Sequence, residues 1–202
     1  MSTLLLATNN PGKLIEIQGL LQGLDIELVT PAQLGLQMNV LEDGQTYAEN
    51  AARKGLAFAR VAGLITLADD SGLEVDAFGG APGLHSARFS PKPGANDADR
   101  RAYLLARLGK LPRPWIARFR CVIALATPGG VLKYAEGICP GEVIPEERGE
   151  NGFGYDPIFL LPELSKTMAE LNMSEKNQLS HRARAIRAAI PLIQELFAPD
   201  GR

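Results

Sequence analysis

The chain has 202 residues, a length that suits one domain, or one domain in two lobes, better than two independent ones. Its 21 Lys and Arg against 23 Asp and Glu leave a formal charge of −2, without the basic excess that binding to duplex nucleic acid demands. Hydrophobic residues at 46% argue against disorder, and no apolar run approaches the ~18 residues of a membrane span. The start, MSTLLLATNN, lacks the basic region and long apolar stretch of a signal peptide. Cys121 and Cys139 form neither a CxxC nor a disulfide framework. The expectation is a cytoplasmic globular protein with neither nucleic-acid nor membrane partners.

Apolar runs suited to buried strands alternate with helical periods, the pattern of an α/β protein. Thr3–Ala7 reads as a short strand, followed by a helix capped by Asn10, begun at Pro11 and striped by Leu14, Ile17 and Leu21. Ile26–Val29 reads as a second strand. A helix is predicted from Thr46 to about Val61, with Thr46 and Glu49 spaced as a capping box. Leu64–Ala68 is a third buried strand, ending at two aspartates. The Gly- and Pro-rich stretch Phe78–Ala95 reads as an ordered loop, and Asp97 to about Leu108 as a helix. Ala117–Ala126 and Val131–Gly141 flank Thr127-Pro-Gly-Gly130 as a hairpin. After a second glycine-rich loop, Gly149–Pro157, comes the apolar run Ile158–Leu161. The last helix starts near Ser180 and carries Ile186, Ile190, Ile193 and Phe197, with Pro191 as a point of kinking or early termination.

Four segments carry residues suited to chemistry. Thr8-Asn9-Asn10-Pro11-Gly12-Lys13 joins a strand to a helix N-terminus, where unpaired N–H groups suit a phosphate; the plainer alternative is that Asn10 only caps and Lys13 is only solvated. Asp69-Asp70-Ser71-Gly72 places two acids at a strand end, where one can hold Mg²⁺ or both can simply make a polar turn. Lys54 lies on the apolar stripe Tyr47, Ala51, Phe58 and Ala62, so its ammonium must reach a carboxylate, a ligand anion or solvent. Glu42 and Asp43 precede that helix as further acids. Gly152-Phe153-Gly154-Tyr155-Asp156-Pro157 sets aromatics among glycines, which suits either base stacking or a structural turn. Lys176 and Ser180-His181-Arg182 follow, with Arg182 on the inward stripe of the last helix; its forked donors suit a carbonyl, a phosphate or a core-edge acid. Walker A and GxSxG motifs are absent, which disfavours a P-loop kinase and a serine hydrolase. Taken together, the lysines, acids, aromatic loop and inward Arg suit a Mg²⁺-nucleotide polyphosphate.

The strings ATNNPGKLIE (7–16), EDGQTYAENAARKG (42–55), LADDSGLEVDAFGGAPGLHSAR (67–88), GENGFGYDPIF (149–159) and EKNQLSHRARA (175–185) resemble, in order, those of the inosine triphosphate pyrophosphatase family. The resemblance implies a single α/β domain over residues 1–202, an elongated mixed sheet flanked by helices, with two lobes and an active-site cleft between them. It implies a Mg²⁺-dependent homodimer that hydrolyses ITP, dITP and XTP to the monophosphate and pyrophosphate by attack of water at the α-phosphorus. By the same resemblance Glu42 and Asp70 bind metal, and Asp70 also accepts the proton of the water. Thr8, Asn9, Asn10, Lys13, Lys54 and Ser71 contact substrate, as do Phe153, Gly154, Tyr155, Asp156, Lys176, His181 and Arg182, with Phe153 as the stacking ring. Because Arg182 is donor-only, it is expected to accept a 6-oxo purine and reject adenine. A related pyrophosphatase of different base preference and a non-catalytic nucleotide-binding regulator are the alternatives.

Overall fold

A computed structural model describes residues 2–198. Seven strands form one sheet in the order β2-β1-β3-β4-β5-β6-β7, with β1 Ser2–Leu6, β2 Ile26–Val29, β3 Ile65–Val75, β4 Trp115–Ala126, β5 Leu132–Val143, β6 Phe159–Leu161 and β7 Lys166–Thr167. The sheet is mixed: β1 pairs in parallel with β2 and β3, whereas β6 pairs antiparallel with β5 and β7. Among the described residues five α-helices accompany it: α1 Pro11–Leu21, α2 Tyr47–Ala62, α3 Asp97–Leu108, α4 Met173–Leu179 and α5 His181–Phe197. The α/β class and mixed sheet expected from the sequence are therefore present.

Most elements fall where the residue patterns put them, and the departures have local causes. β3 does not stop at Ala68 but continues through both aspartates to Val75. Its polar residues are tolerated because Asp69 and Asp70 find partners inside the fold. Thr46 accepts from the Glu49 amide at 3.1 Å, but the Glu49 carboxylate accepts from Gln45 N at 2.8 Å, so the capping box is not reciprocal. The sequence pattern does not predict β7 or α4: β7 has two residues and α4 seven, too short to show a period. α4 is instead set by a reciprocal box between Asn172 and Glu175. α5 runs through Pro191 to Phe197 without stopping.

The chain divides into two compact units. The first comprises the chain up to Asp70, Cys121–Gly137 and the chain from His181; the second comprises Ser71–Arg120 and Ile138–Ser180. In the first unit, the period of two along β1 sends Leu4 and Leu6 to a core shared with Ile17, Leu21, Leu67, Ile186 and Ile193. Leu5 and Ala7 face the opposite way, against Val29, Phe58 and Ala68. α1 and α5 thus cover one face and α2 the other. The second unit packs Leu73, Val75, Leu104, Leu108, Trp115 and Phe119 in one core, with the Phe119 and Phe159 ring centroids 4.5 Å apart.

Gly137 on β5 brings the start of α5 against the first unit's sheet. A Cβ there would collide with the His181 carbonyl oxygen and the Ala185 amide nitrogen, both backbone atoms that cannot swing aside. The substitution Gly137→Ala is expected to destabilise the protein by about 1–3 kcal/mol, the usual cost of overpacking. Urea unfolding followed by circular dichroism measures this, and an unchanged midpoint would show that the α5 start has room to shift.

Candidate active site

The first unit gathers five of the expected residues, Lys13, Glu42, Lys54, Asp70 and Arg182, around β3. Because β3 keeps its pleat, Asp69 shares a face with Leu67 and Asp70 shares the opposite face with Ala68. The two adjacent acids therefore meet different helices. Asp69 is fully buried and accepts from Lys13 Nζ of α1 at 2.9 Å, and from Nε and Nη2 of Arg182 on α5 at 3.4 and 3.3 Å. Asp70 meets α2, where Asn50 Nδ2 donates to its Oδ2 at 2.9 Å.

Their electrostatics diverge accordingly. Burial alone would raise the pKa of Asp69, but Lys13, then Arg182 and Lys54, overcome it and hold the carboxyl well below the usual carboxylate range. Asp70 goes the other way. Its burial outweighs the Asn50 hydrogen bond and the attraction of Lys13 and Lys54, so its pKa is raised. Lys54 reaches Glu42 Oε1 at 2.7 Å, resolving the misplaced lysine on the apolar stripe with a carboxylate. Burial would lower the Lys54 pKa, yet Asp69, Glu42 and Asp70 together raise it, so it stays charged.

Arg182 takes the core-edge acid pairing that its forked donors also suit. Its side chain is 1% exposed, and the guanidinium ion-pairs with Glu16 of α1 as well as with Asp69. The forked donors expected to meet a base carbonyl serve carboxylates in this arrangement, because two buried acids need a cation more than an exposed edge does. Glu16, itself 2% exposed, was missed in the sequence; it sits on the inward face of α1, where a charged residue beside Ile17 was the available signal. Asp69 was noted but not assigned, and its role was invisible until Lys13 and Arg182 converged on it.

The phosphate segment is also partly committed. The Asn10 side chain accepts from Gly12 N at 2.9 Å and Lys13 N at 3.2 Å, so it caps α1 and takes two N–H groups that an anion would otherwise use. Thr8 Oγ1 accepts from Asn10 N at 3.2 Å, and Asn9 is exposed. The plainer reading of Asn10 as a cap is thus met in this structure. His181 is buried at the start of α5, and Ser71 is half-buried on β3.

In the second unit, Lys176 Nζ donates to Asp156 Oδ2 at 2.6 Å, and both side chains are almost fully buried. Asp156 also accepts from Phe153 N at 2.9 Å, and Lys176 Nζ lies 5.1 Å from the centroid of the half-buried Phe153 ring. Gly152 allows this approach: it has φ +76°, and a Cβ there would collide with Asp156 Oδ2. The Tyr155 ring is buried in the core and its hydroxyl donates to the Ser86 carbonyl at 2.8 Å. It anchors the loop from below, leaving Phe153 as the ring suited to stacking.

The charge network predicts an acid sensitivity with a definite sign. Asp69 stays ionised in the folded state at pH values where the unfolded chain has already taken up its proton. Its stabilising contribution is present above the unfolded pKa of about 4 and is lost as pH falls below it. Replacing Arg182 with Ala leaves Glu16 and Asp69 without that buried cation, and a loss of about 3–5 kcal/mol is expected. Urea titrations between pH 3 and 8 without added divalent cation test both. A flat stability profile, or an Arg182→Ala variant as stable as wild type, would contradict the network.

The chain as a whole is similar to known proteins. A protein of Desulforamulus reducens named dITP/XTP pyrophosphatase is 47% identical over 195 residues, spanning 96% of either chain. One of Gloeobacter violaceus with the same name is 51% identical over 189 residues, covering 93% of this chain and 92% of that one. The solved HAM1 protein of Coxiella burnetii superposes with a TM-score of 0.87 at 39% identity, over 96% of this chain and 100% of its own. Residues 4–192 match the Ham1 family model, and the chain belongs to the Ham1 family.

Proposed function

We propose that this protein hydrolyses the deaminated purine nucleoside triphosphates ITP, dITP and XTP to the nucleoside monophosphate and pyrophosphate, and so cleanses the nucleotide pool. The reading is supported by the names of relatives close to half identical over nearly the whole chain. The observation that carries the chemistry is Asp70: a buried carboxylate of raised pKa, oriented by Asn50. A base is most effective when its pKa approaches the working pH, and burial moves Asp70 in that direction.

In this proposal Asp70 takes the proton from a water attacking the α-phosphorus while the bond to the pyrophosphate oxygen breaks. Asn50 holds the carboxylate in place by its hydrogen bond. Lys54 and Lys13, ion-paired with Glu42 and Asp69 respectively, bring positive charge toward a triphosphate, with Thr8, Asn9 and Ser71 as further polar contacts. In the second unit, Phe153 takes the base by stacking, Gly154 and Asp156 shape the loop, and Lys176 holds Asp156. His181 remains a proposed substrate contact. Arg182 is assigned to hold Asp69 and Glu16.

Among the described residues no group of three or more His, Cys, Asp or Glu forms a complete metal cage. Mg²⁺ does not need one, since it takes one or two carboxylates and completes its shell with water and substrate phosphates. Glu42 lies close enough to Asp70 to add to the rise in its pKa, and both carboxylates act on Lys54, so the two acids stand together on the α2 side of β3. The donor set thus fits Mg²⁺ held by Glu42 and Asp70, where the ion, when bound, would supply positive charge against the triphosphate. The proposal extends to a homodimer, which follows from the family resemblance, and to a cytoplasmic location, which follows from the composition; among the described residues no helix is long and apolar enough to cross a membrane.

Pyrophosphate release from ITP, dITP, XTP, ATP, GTP, CTP and UTP with Mg²⁺ tests the reading. Rapid release is expected from the first three and little from the others, and tight ITP binding without release would favour a regulator instead. Asp70→Asn is expected to lower kcat by about 10²–10⁴-fold with nucleotide binding retained, the range of a general base. Turnover near wild type in that variant would remove Asp70 from the role.

A further inference from the structure

Beneath the aromatic loop of the second unit lies a clamp that the proposed chemistry does not use. Gly154 donates its N–H to Asp97 Oδ2 at 2.8 Å and accepts at its carbonyl from Arg101 Nη1 at 2.8 Å. Both polar groups of this one residue are therefore held by side chains of α3. Asp97 and Arg101 stand four residues apart, one above the other on a single helix face. The helix start that carries them is itself pinned, since Asn96 and Asp99 exchange reciprocal capping hydrogen bonds.

Arg101 is braced from behind. Its Nε and Nη2 bind the two oxygens of Glu147 at 2.9 and 2.8 Å, a fork that leaves Nη1 aimed at Gly154. Arg100 pairs with Asp97 in turn. Gly154 has φ +64° and nothing within 4 Å of a Cβ position, so packing does not hold it. A glycine with so much freedom keeps one conformation here because charged partners take both its N–H and its carbonyl. Its neighbours are Phe153 and the core-anchored Tyr155, so the Gly154 peptide sets the angle at which the half-buried Phe153 ring is presented.

We propose that Asp97 and Arg101 are positioning residues for base recognition: they fix the Gly154 peptide, and through it the face of Phe153, without touching the nucleotide. The proposal rests on the reading of the Phe153–Asp156 loop as the base-binding element.

The measurement is steady-state kinetics with dITP beside inhibition by inorganic tripolyphosphate, which carries the phosphates and no base. Asp97→Ala and Arg101→Ala are each expected to raise KM for dITP about tenfold, equivalent to about 1.4 kcal/mol, with kcat within about twofold and tripolyphosphate inhibition unchanged. In a Phe153→Ala background, adding Arg101→Ala is expected to cost less than about twofold more, because residues acting through one another are not additive. Asp97→Asn keeps an acceptor for Gly154 N–H and is expected to restore KM. Arg101→Lys keeps the charge but cannot serve Gly154 and Glu147 together; it carries the same test, at about threefold, if the alanine variants fail to fold.

Equal weakening of dITP and tripolyphosphate would show a global defect and overturn the proposal. Unchanged KM in the clamp variants, with KM raised by Phe153→Ala, would overturn it and leave the loop reading standing. Unchanged KM in Phe153→Ala itself would remove the loop reading and the proposal with it.

Discussion

Two carboxylates adjacent in sequence repel each other and cannot share a small site without one of them changing state. The pleat of β3 separates them. Successive side chains of a strand point to opposite faces, so Asp69 is delivered to α1 and α5 while Asp70 is delivered to α2. From this single alternation follow the opposite pKa directions of the two acids. Had the strand ended at Ala68, as its apolar run suggests, both acids would have sat in a turn with no reason to differ.

On the Asp69 side of the strand, Lys13 and Arg182 stand against Glu16 and Asp69. Buried ion pairs contribute little net stability once desolvation is counted, so such a network is better understood as fixing geometry than as strengthening the fold. It ties the first turns of α1 and α5 to one strand position. The Asp70 side is less balanced. The Asn50 amide orients the acid, and burial outweighs the attraction of its partners, which is the condition that keeps a carboxylate basic. Structural and chemical roles are thus divided between neighbours.

The second unit uses glycine in a comparable way. Gly152 gives up its side chain so that Asp156 can approach, and Gly154 gives up its own conformational preference so that α3 can choose it. Tyr155 is held in the core, and the loop is therefore ordered by side-chain partners rather than by its own backbone pattern. An aromatic ring held at the surface loses little further freedom when a base stacks on it, which favours affinity.

Strand and helix positions were legible because apolar period and capping chemistry are local properties: Ile26–Val29 and Asp97–Leu108 appear with the expected bounds, and Asn10 caps α1 as its residue type suggests. The motif residues of the site were legible for a different reason, as types unsuited to their surroundings, such as Lys54 on an apolar stripe. Which partner each one takes was not. Lys54 could have met a carboxylate, an anion or solvent, and only the approach of Glu42 decided it. Arg182 read equally as a base contact and a core-edge ion pair until Glu16 and Asp69, respectively 166 and 113 residues away in sequence, closed around it. Sequence determined which groups were available and on which face of its own element each one stood. The tertiary structure alone decided who neutralises whom, because the energy of a charge depends on burial and on partners that no local pattern records.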